Sequence, residues 1–301
     1  MMNLTATEAF AAYEDARARL PRATPGKPAP RRIGTLLDIA DAFDVFLLDA
    51  FGVLNIGETA IDGVPERVRA LQDAGKRIIV VSNAASVPRD ALLEKYRRLG
   101  YEFAPHDIVT SRMATIAGLS DASDFLWGIM GLSQSPMDDF SPLDWRLLED
   151  DAQAYQQVEG FLLVGSGEWS QKRQDLLESA LAHAPRPVCV ANPDIVAPRE
   201  TGFSTEPGYF AHKLAEHAGV SPTFYGKPFR NIYDLAFDVL RPVDRTRVAM
   251  VGDSLHTDIL GAHTAGIASV LVSDYGFFAG EDALHAIERS GITPDFVARQ
   301  P

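Results

Sequence analysis

Asp49 closes the apolar run Val45–Leu48 and opens the hexapeptide Asp49-Ala50-Phe51-Gly52-Val53-Leu54. Far downstream a second acidic pair, Asp253 and Asp258, stands in Gly252-Asp253-Ser254-Leu255-His256-Thr257-Asp258. A carboxylate just beyond a buried strand stands where an open α/β sheet binds its ligands, outside the carboxyl ends of its strands. An Asp placed there can attack phosphorus and form an aspartyl-phosphate. Both partners are anions, so a hard cation has to bridge them. Mg²⁺ takes one or two protein carboxylates and keeps several waters, and Asp49 and Asp253 supply that pair if their strands lie side by side. The two segments therefore suggest metal-assisted phosphoryl transfer, although the hexapeptide alone equally describes a strand that ends at a glycine turn.

Two further segments bear on that choice. Ile78-Ile79-Val80-Val81 is a β-branched run suited to a buried parallel strand, and Ser82-Asn83 follow at its carboxyl end. A hydroxyl and an amide at that place could hydrogen-bond phosphoryl oxygens, or could simply form a turn or cap the next helix. In Tyr225-Gly226-Lys227-Pro228 an isolated lysine precedes a proline-directed turn. Its point charge suits a phosphate, while a lone surface lysine is ordinarily only solvated.

Taken in order, Asp49, Ser82, Lys227 and the Asp253/Asp258 pair resemble the four motifs of the haloacid dehalogenase-like (HAD) superfamily. Within it the chain is most similar to the class IIA branch of NagD and p-nitrophenylphosphatase-like proteins. The matches run from about Ile33 to Val297 and include Thr110-Ser111, Ala191-Asn192-Pro193-Asp194, Pro207-Gly208 and Gly261-Ala262. The resemblance implies that Asp49 is nucleophile and Mg²⁺ ligand, that the backbone carbonyl of Phe51 is a second ligand, and that Asp253 completes the protein's share. It places Asp258 behind these, orienting waters or Lys227, and gives Ser82 and Lys227, helped by Asn83, the charge of the transferred phosphoryl group. It also admits a homodimer.

The chain departs from the phosphatase pattern at Phe51, where the resemblance calls for a second Asp, two residues after the nucleophile. That carboxyl would protonate the leaving oxygen and then deprotonate water, a role worth about 10²–10⁴-fold in rate. Phe can transfer no proton. Three consequences stay open. The substrate's leaving group can need little protonation, as in acyl or aryl phosphates. Another residue can supply the proton, and His256, with an ordinary pKa near 6.5, is the candidate in the acidic motif, with Glu168 and His212 less well placed. Or the protein binds a phosphate or sugar phosphate with little or no turnover.

The 301 residues suffice for one large domain or two smaller ones, and 46% hydrophobic content fits a globular protein. A net charge of −13 argues against a general nucleic-acid binder, which needs a basic footprint. Cys189, the single cysteine, reads as a small core hydrophobe. No apolar run is long enough to span a membrane, and the amino terminus lacks a secretory pattern. The expectation is a cytoplasmic enzyme acting on a small phosphorylated metabolite, without nucleic-acid or membrane partners.

Elements that position these residues follow from the alternation of short β-branched runs with helical stretches, which predicts a parallel sheet covered by helices on both faces. Strands are predicted over 45–48, 78–81, 161–164, 187–191, 247–251 and 268–272. Helices are predicted over 65–74, 89–99, 113–118, 171–183, 209–218, 231–240, 257–265 and 281–290. Thr5 and Glu8 form a capping-box signature for an amino-terminal helix over 6–20, followed by a Pro- and Arg-rich linker to residue 32. The expected fold class is α/β: a Rossmann-like, doubly wound parallel-sheet core over 34–112 and 207–301, with an inserted smaller α/β cap (class II) over 113–206 and residues 1–33 as helix and linker. The cap separates Ser82 from Lys227 and is where substrate specificity should live. Its Trp127, Trp145 and Trp169 could stack on a ligand but read more simply as core, and Asn192-Pro193-Asp194 could brace the hinge or touch substrate, the hinge role being the simpler reading.

Overall fold

In the computed structural model, which describes residues 3–25, 27–122, 124–141, 143–199 and 202–301, seven parallel strands form the central sheet. Their order is Arg31–Ile33, Phe296–Ala298, Ala268–Val272, Val248–Gly252, Val45–Leu48, Arg77–Ser82 and Ile108–Thr110. Alternate residues of these strands serve opposite faces. Phe46, Leu48, Ile78, Val80, Ala249 and Val251 join one apolar cluster, while Val45, Leu47, Ile79, Val81, Val248 and Met250 join the other. Burial on both faces explains why the strands are near-continuous apolar runs.

From Val45–Leu48 the chain steps one way to Arg77–Ser82 and later returns on the other side as Val248–Gly252. The strand order therefore reverses between Val45–Leu48 and Val248–Gly252, and a doubly wound sheet opens its ligand crevice at that point. Leu48 is in register with Val251, and the Asp49 N–H donates to the Val251 carbonyl at 2.9 Å, which carries the ladder one residue past the strand.

A second, all-parallel sheet of five strands has the order Thr223–Phe224, Val188–Val190, Gly160–Leu163, Leu126–Met130 and Asp144–Leu147. It is the smaller α/β unit inserted into the core. Its extent differs from the expected 113–206 at both ends. The helix Ser111–Gly118 packs on the core helix Arg230–Leu240 and the core strand Ile108–Thr110. At the other end Ala211 and Leu214 of the helix Pro207–His217 lie in the apolar cluster of the second sheet, whose edge strand is Thr223–Phe224. The unit thus continues to about residue 224. Trp127 and Trp169 are buried in it and Trp145 is exposed; Cys189 is buried in its strand Val188–Val190.

The amino-terminal segment is more than a helix and linker. Thr5 and Glu8 form the expected capping box, and the helix runs over Ala6–Asp15, followed by a 3₁₀ turn at Arg17–Arg19. Before it, Asn3–Leu4 pairs antiparallel with Phe203–Thr205, completing a three-stranded ribbon with Val196–Pro198. After it, Arg31–Ile33, within the predicted linker, forms the outermost strand of the core sheet. Residue 26 of that linker lies outside the described residues. Among the described residues, no helix is long and apolar enough to cross a membrane.

Candidate active site

The loops after Val45–Leu48 and Val248–Gly252 bring three carboxylates together. Asp49, Asp253 and Asp258 each offer an oxygen within 4.8 Å of the others. Lys227 arrives from the chain's return to the core and places Nζ 2.6 Å from Asp49 Oδ1 and 2.7 Å from Asp258 Oδ1. Asp258 sits in a π-helical turn over Leu255–Ile259, where its Oδ2 accepts the Ser254 N–H at 3.1 Å. Both oxygens of Asp258 are thereby engaged, and Asp49 and Asp253 remain the pair suited to grip an ion.

Asp253 is itself held closely. Its Oδ2 accepts the Phe277 N–H at 2.7 Å. Gly52 (φ 73°) and Gly276 (φ 67°) press their backbones against the carboxylate, and a Cβ built on either would lie 2.5 or 1.9 Å from Oδ2. Only glycine fits these two places, both for the positive φ and for the close approach.

Burial raises Asp253 well above the usual carboxylate range, with the charges of Asp258 and Asp49 adding to the effect. Burial likewise lifts Asp49 to about 6, although Lys227 pulls the other way. Burial disfavours the Lys227 ammonium, but Asp258 and Asp49 outweigh it and hold its pKa well above the ordinary value. Three carboxylates thus converge where one buried ammonium pairs with two of them, Asp49 and Asp258. Hard oxygen donors with surplus negative charge fit a hard divalent cation.

Above these groups lies a cavity of about 520 Å³, lined by Asp49, Phe51, Ser82 and Asp253 from the core, Asn192, Asp194, Arg199 and Glu206 from the second unit, and Tyr13 from the amino-terminal helix. A larger groove of about 1000 Å³ follows the edge strand Arg31–Ile33 and holds none of the residues singled out above. Ser82 is buried at the cavity floor, its Oγ accepting the Ala84 N–H at 3.3 Å.

Asn83 has a different part from the expected contact with phosphate. Its side chain accepts the Lys227 N–H at 2.7 Å, donates to the Lys227 carbonyl at 2.9 Å and donates to Asp194 Oδ1 at 2.8 Å. Its donors are engaged by the Lys227 carbonyl and by Asp194. His256 also departs from expectation. The π-helical turn directs it to the amino-terminal helix, where Nε2 meets Glu14 Oε1 at 2.5 Å and the ring stacks on Tyr13. Burial pulls its pKa down although Glu14 pulls upward, and the imidazole does not line the cavity. His212 is buried with Nδ1 accepting from Arg19 at 3.1 Å, and Glu168 accepts from Ser133; neither lines the cavity.

Phe51 puts a ring, not a carboxyl, in the cavity wall. Lys95 Nζ lies 5.0 Å and Arg199 Cζ 5.8 Å from its centroid, so cations from both units meet on it. A titratable group to which sequence reasoning gave no catalytic part is Asp194. Burial lifts it to about 8 against the pull of Lys227 and Asn83. Its signal was present in Asn192-Pro193-Asp194, read as a hinge brace or substrate contact with the hinge favoured, and nothing local aimed the carboxyl at Asn83. For Tyr13 no local signal existed.

Two family models match this chain: one described as haloacid dehalogenase-like hydrolase over residues 46–132, and one described as HAD-hydrolase-like over residues 224–300. Glycerol-3-phosphate phosphatase of Homo sapiens is 29% identical over 289 residues, covering 84% of this chain and 87% of that one. Among solved structures, a possible sugar phosphatase of the HAD superfamily from Cytophaga hutchinsonii superposes with a TM-score of 0.78 at 23% identity, over 90% of this chain and 98% of that one. A p-nitrophenyl phosphatase from Archaeoglobus fulgidus gives 0.70 at 26% identity, over 86% and 96%. With both flanks of the core sheet matched by models of one superfamily and the whole fold shared, the chain belongs to the haloacid dehalogenase-like superfamily.

Proposed function

We propose that this protein is a cytoplasmic, Mg²⁺-dependent phosphoric monoester hydrolase that acts on a small phosphorylated metabolite through an aspartyl-phosphate on Asp49. The observation that carries the reading is the convergence of Asp49, Asp253 and Asp258 at the strand-order reversal, with Lys227 paired to Asp49 and Asp258. The phosphatase names of the human and archaeal relatives support it. Asp49 and Asp253, with the Phe51 carbonyl, would hold the ion, which when bound offsets the charge between carboxylate and phosphoryl group.

The chain's own residues supply the rest. Asp49 is the nucleophile at the cavity floor. Lys227, fixed by Asn83 through its backbone and by Asp258 through its side chain, presents a permanent positive charge to the transferred group. Ser82 offers its hydroxyl from the next strand end. Preorganised charges and donors of this kind account for much of the catalysis in phosphoryl transfer. Nothing at Phe51 can protonate a leaving oxygen, which favours esters whose leaving group needs little help. Phe51 also favours one second reading, a phosphate or sugar-phosphate binding protein with weak turnover.

The test is a panel of phosphate esters with Mg²⁺ and with chelator. The hydrolase reading expects turnover that chelation abolishes and that Asp49→Asn lowers by at least about 10⁴-fold. Tight binding of phosphate esters with no turnover in the wild-type protein would favour the second reading instead.

A further inference from the structure

Tyr13 lies outside both family-model matches, yet it touches both sides of the site. It is buried in the helix Ala6–Asp15, whose face Ala9, Phe10, Tyr13 and Ala16 repeats at helical spacing. That face joins an apolar cluster with Leu255, Ile259 and Phe277 of the core and with Ile195, Val196 and Phe203 of the inserted unit. The strand Asn3–Leu4 before the helix pairs with the inserted unit, and Arg19 after it donates to His212 and Glu216 there, so the segment is tied down at both ends.

Within this frame Tyr13 makes three contacts. Its hydroxyl accepts the Ile195 N–H at 3.1 Å, one residue from Asp194, which Asn83 links to Lys227. Its ring stacks on His256 with centroids 4.9 Å apart and planes within 9°, and His256 stands between Asp253 and Asp258. Its edge meets the Phe277 ring at 6.2 Å, and the Phe277 N–H is the donor that holds Asp253. The same ring forms part of the cavity wall.

We propose that Tyr13 is a positioning residue of the active site. Its hydroxyl fixes the loop that carries Asp194, and its ring fixes the two segments, 253–258 and 276–278, that carry and cradle the metal-gripping aspartate. The proposal rests on the reading of Asp49 and Asp253 as the metal-binding pair. It predicts that the two halves of the tyrosine separate by experiment.

Calorimetric titration of the metal-free full chain with Mg²⁺ is the primary readout, with kcat and KM on p-nitrophenyl phosphate beside it. Groups that orient metal ligands typically contribute about 10–100-fold in affinity, so Tyr13→Ala should weaken Mg²⁺ binding by about tenfold or more. Tyr13→Phe keeps the ring and should keep Mg²⁺ affinity, while its lost acceptor for Ile195 lowers kcat by roughly tenfold through the displaced Asn83 and Lys227. Leu20→Ala, in the same apolar cluster but away from the site, controls for plain destabilisation: its Tm falls and its Mg²⁺ affinity stays. Where Tyr13→Ala does not fold, Tyr13→Leu removes stacking and hydroxyl at similar bulk and reads the same way. Unchanged Mg²⁺ affinity in the ring-removing variants, or an equal loss in Leu20→Ala, overturns the proposal. A wild-type protein that binds Mg²⁺ but turns over no ester would count against the hydrolase reading and leave the calorimetric comparison decisive for Tyr13.

Discussion

The floor of the cavity hangs on the ends of neighbouring strands, whereas its wall is assembled from segments that meet only in the folded chain. Asp49 and Asp253 follow Val45–Leu48 and Val248–Gly252, and once those strands pair in register the two carboxylates have nowhere else to be. Tyr13, Asp194 and Arg199 come from the amino-terminal helix and the inserted unit, and their places depend on long-range contacts such as Tyr13 to Ile195 and Asn83 to Asp194. The carboxylates thus sit on the ends of the sheet, and the groups that surround them sit on segments held by long-range contacts.

The comparison breaks most visibly at Lys227. Lys227→Met removes the counter-charge of two carboxylates, so kcat should fall by about 10²–10³-fold, and metal-free stability should drop by about 3–5 kcal/mol as a buried pair loses one partner. Steady-state kinetics and denaturant melts check both. A variant with wild-type activity would show that the floor does not work through this charge.

Phe51 is where floor and wall meet, and Phe51→Asp sharpens the distinction. If the site lacks only its proton carrier, the variant should hydrolyse an alkyl ester such as glycerol 3-phosphate faster by about 10²-fold, with a smaller gain on p-nitrophenyl phosphate, whose leaving group needs less help. No gain over an already active wild type would mean that a group in the wall transfers the proton.

A smaller effect concerns pH. Burial lifts Asp194 to about 8 and Asp253 well above the usual range. A carboxyl whose pKa is higher folded than unfolded binds its proton more tightly in the folded chain. Its contribution to stability is full below the unfolded value near 4 and is lost as pH rises through the folded value. The buried histidines titrate below their ordinary 6.5, so above about pH 7 they are neutral in both states. Between about pH 7 and 9 the metal-free protein should therefore lose Tm, and Asp194→Asn should flatten the fall. Melts in chelator at both pH values check this; a Tm that rises over the interval contradicts it.

The sheet was legible because its strands carry their own signal. Val45–Leu48 and Ala268–Val272 are largely apolar runs, and the structure places both as read. Asp144–Leu147 was not legible, because an edge strand with two exposed residues lacks that signal. Arg31–Ile33 looked like linker, since prolines and arginines surround it and its pairing partner lies at the other end of the chain. In the site, strand-end position is what brings Asp49, Ser82 and Asp253 to one cavity. Motif membership misdirected His256, because it cannot tell which way a π-helical turn points a side chain. Asn83 lines the cavity with its donors already engaged by the Lys227 carbonyl and Asp194, partners no local sequence signal names.

The central claim is that Asp49 and Asp253 share one divalent ion. Titrating the metal-free chain with Mg²⁺ by calorimetry tests it most directly, alongside Asp49→Asn and Asp253→Asn. The account predicts one ion per wild-type chain and an affinity reduced by at least about tenfold in each variant. Wild-type stoichiometry and affinity in both variants would contradict it.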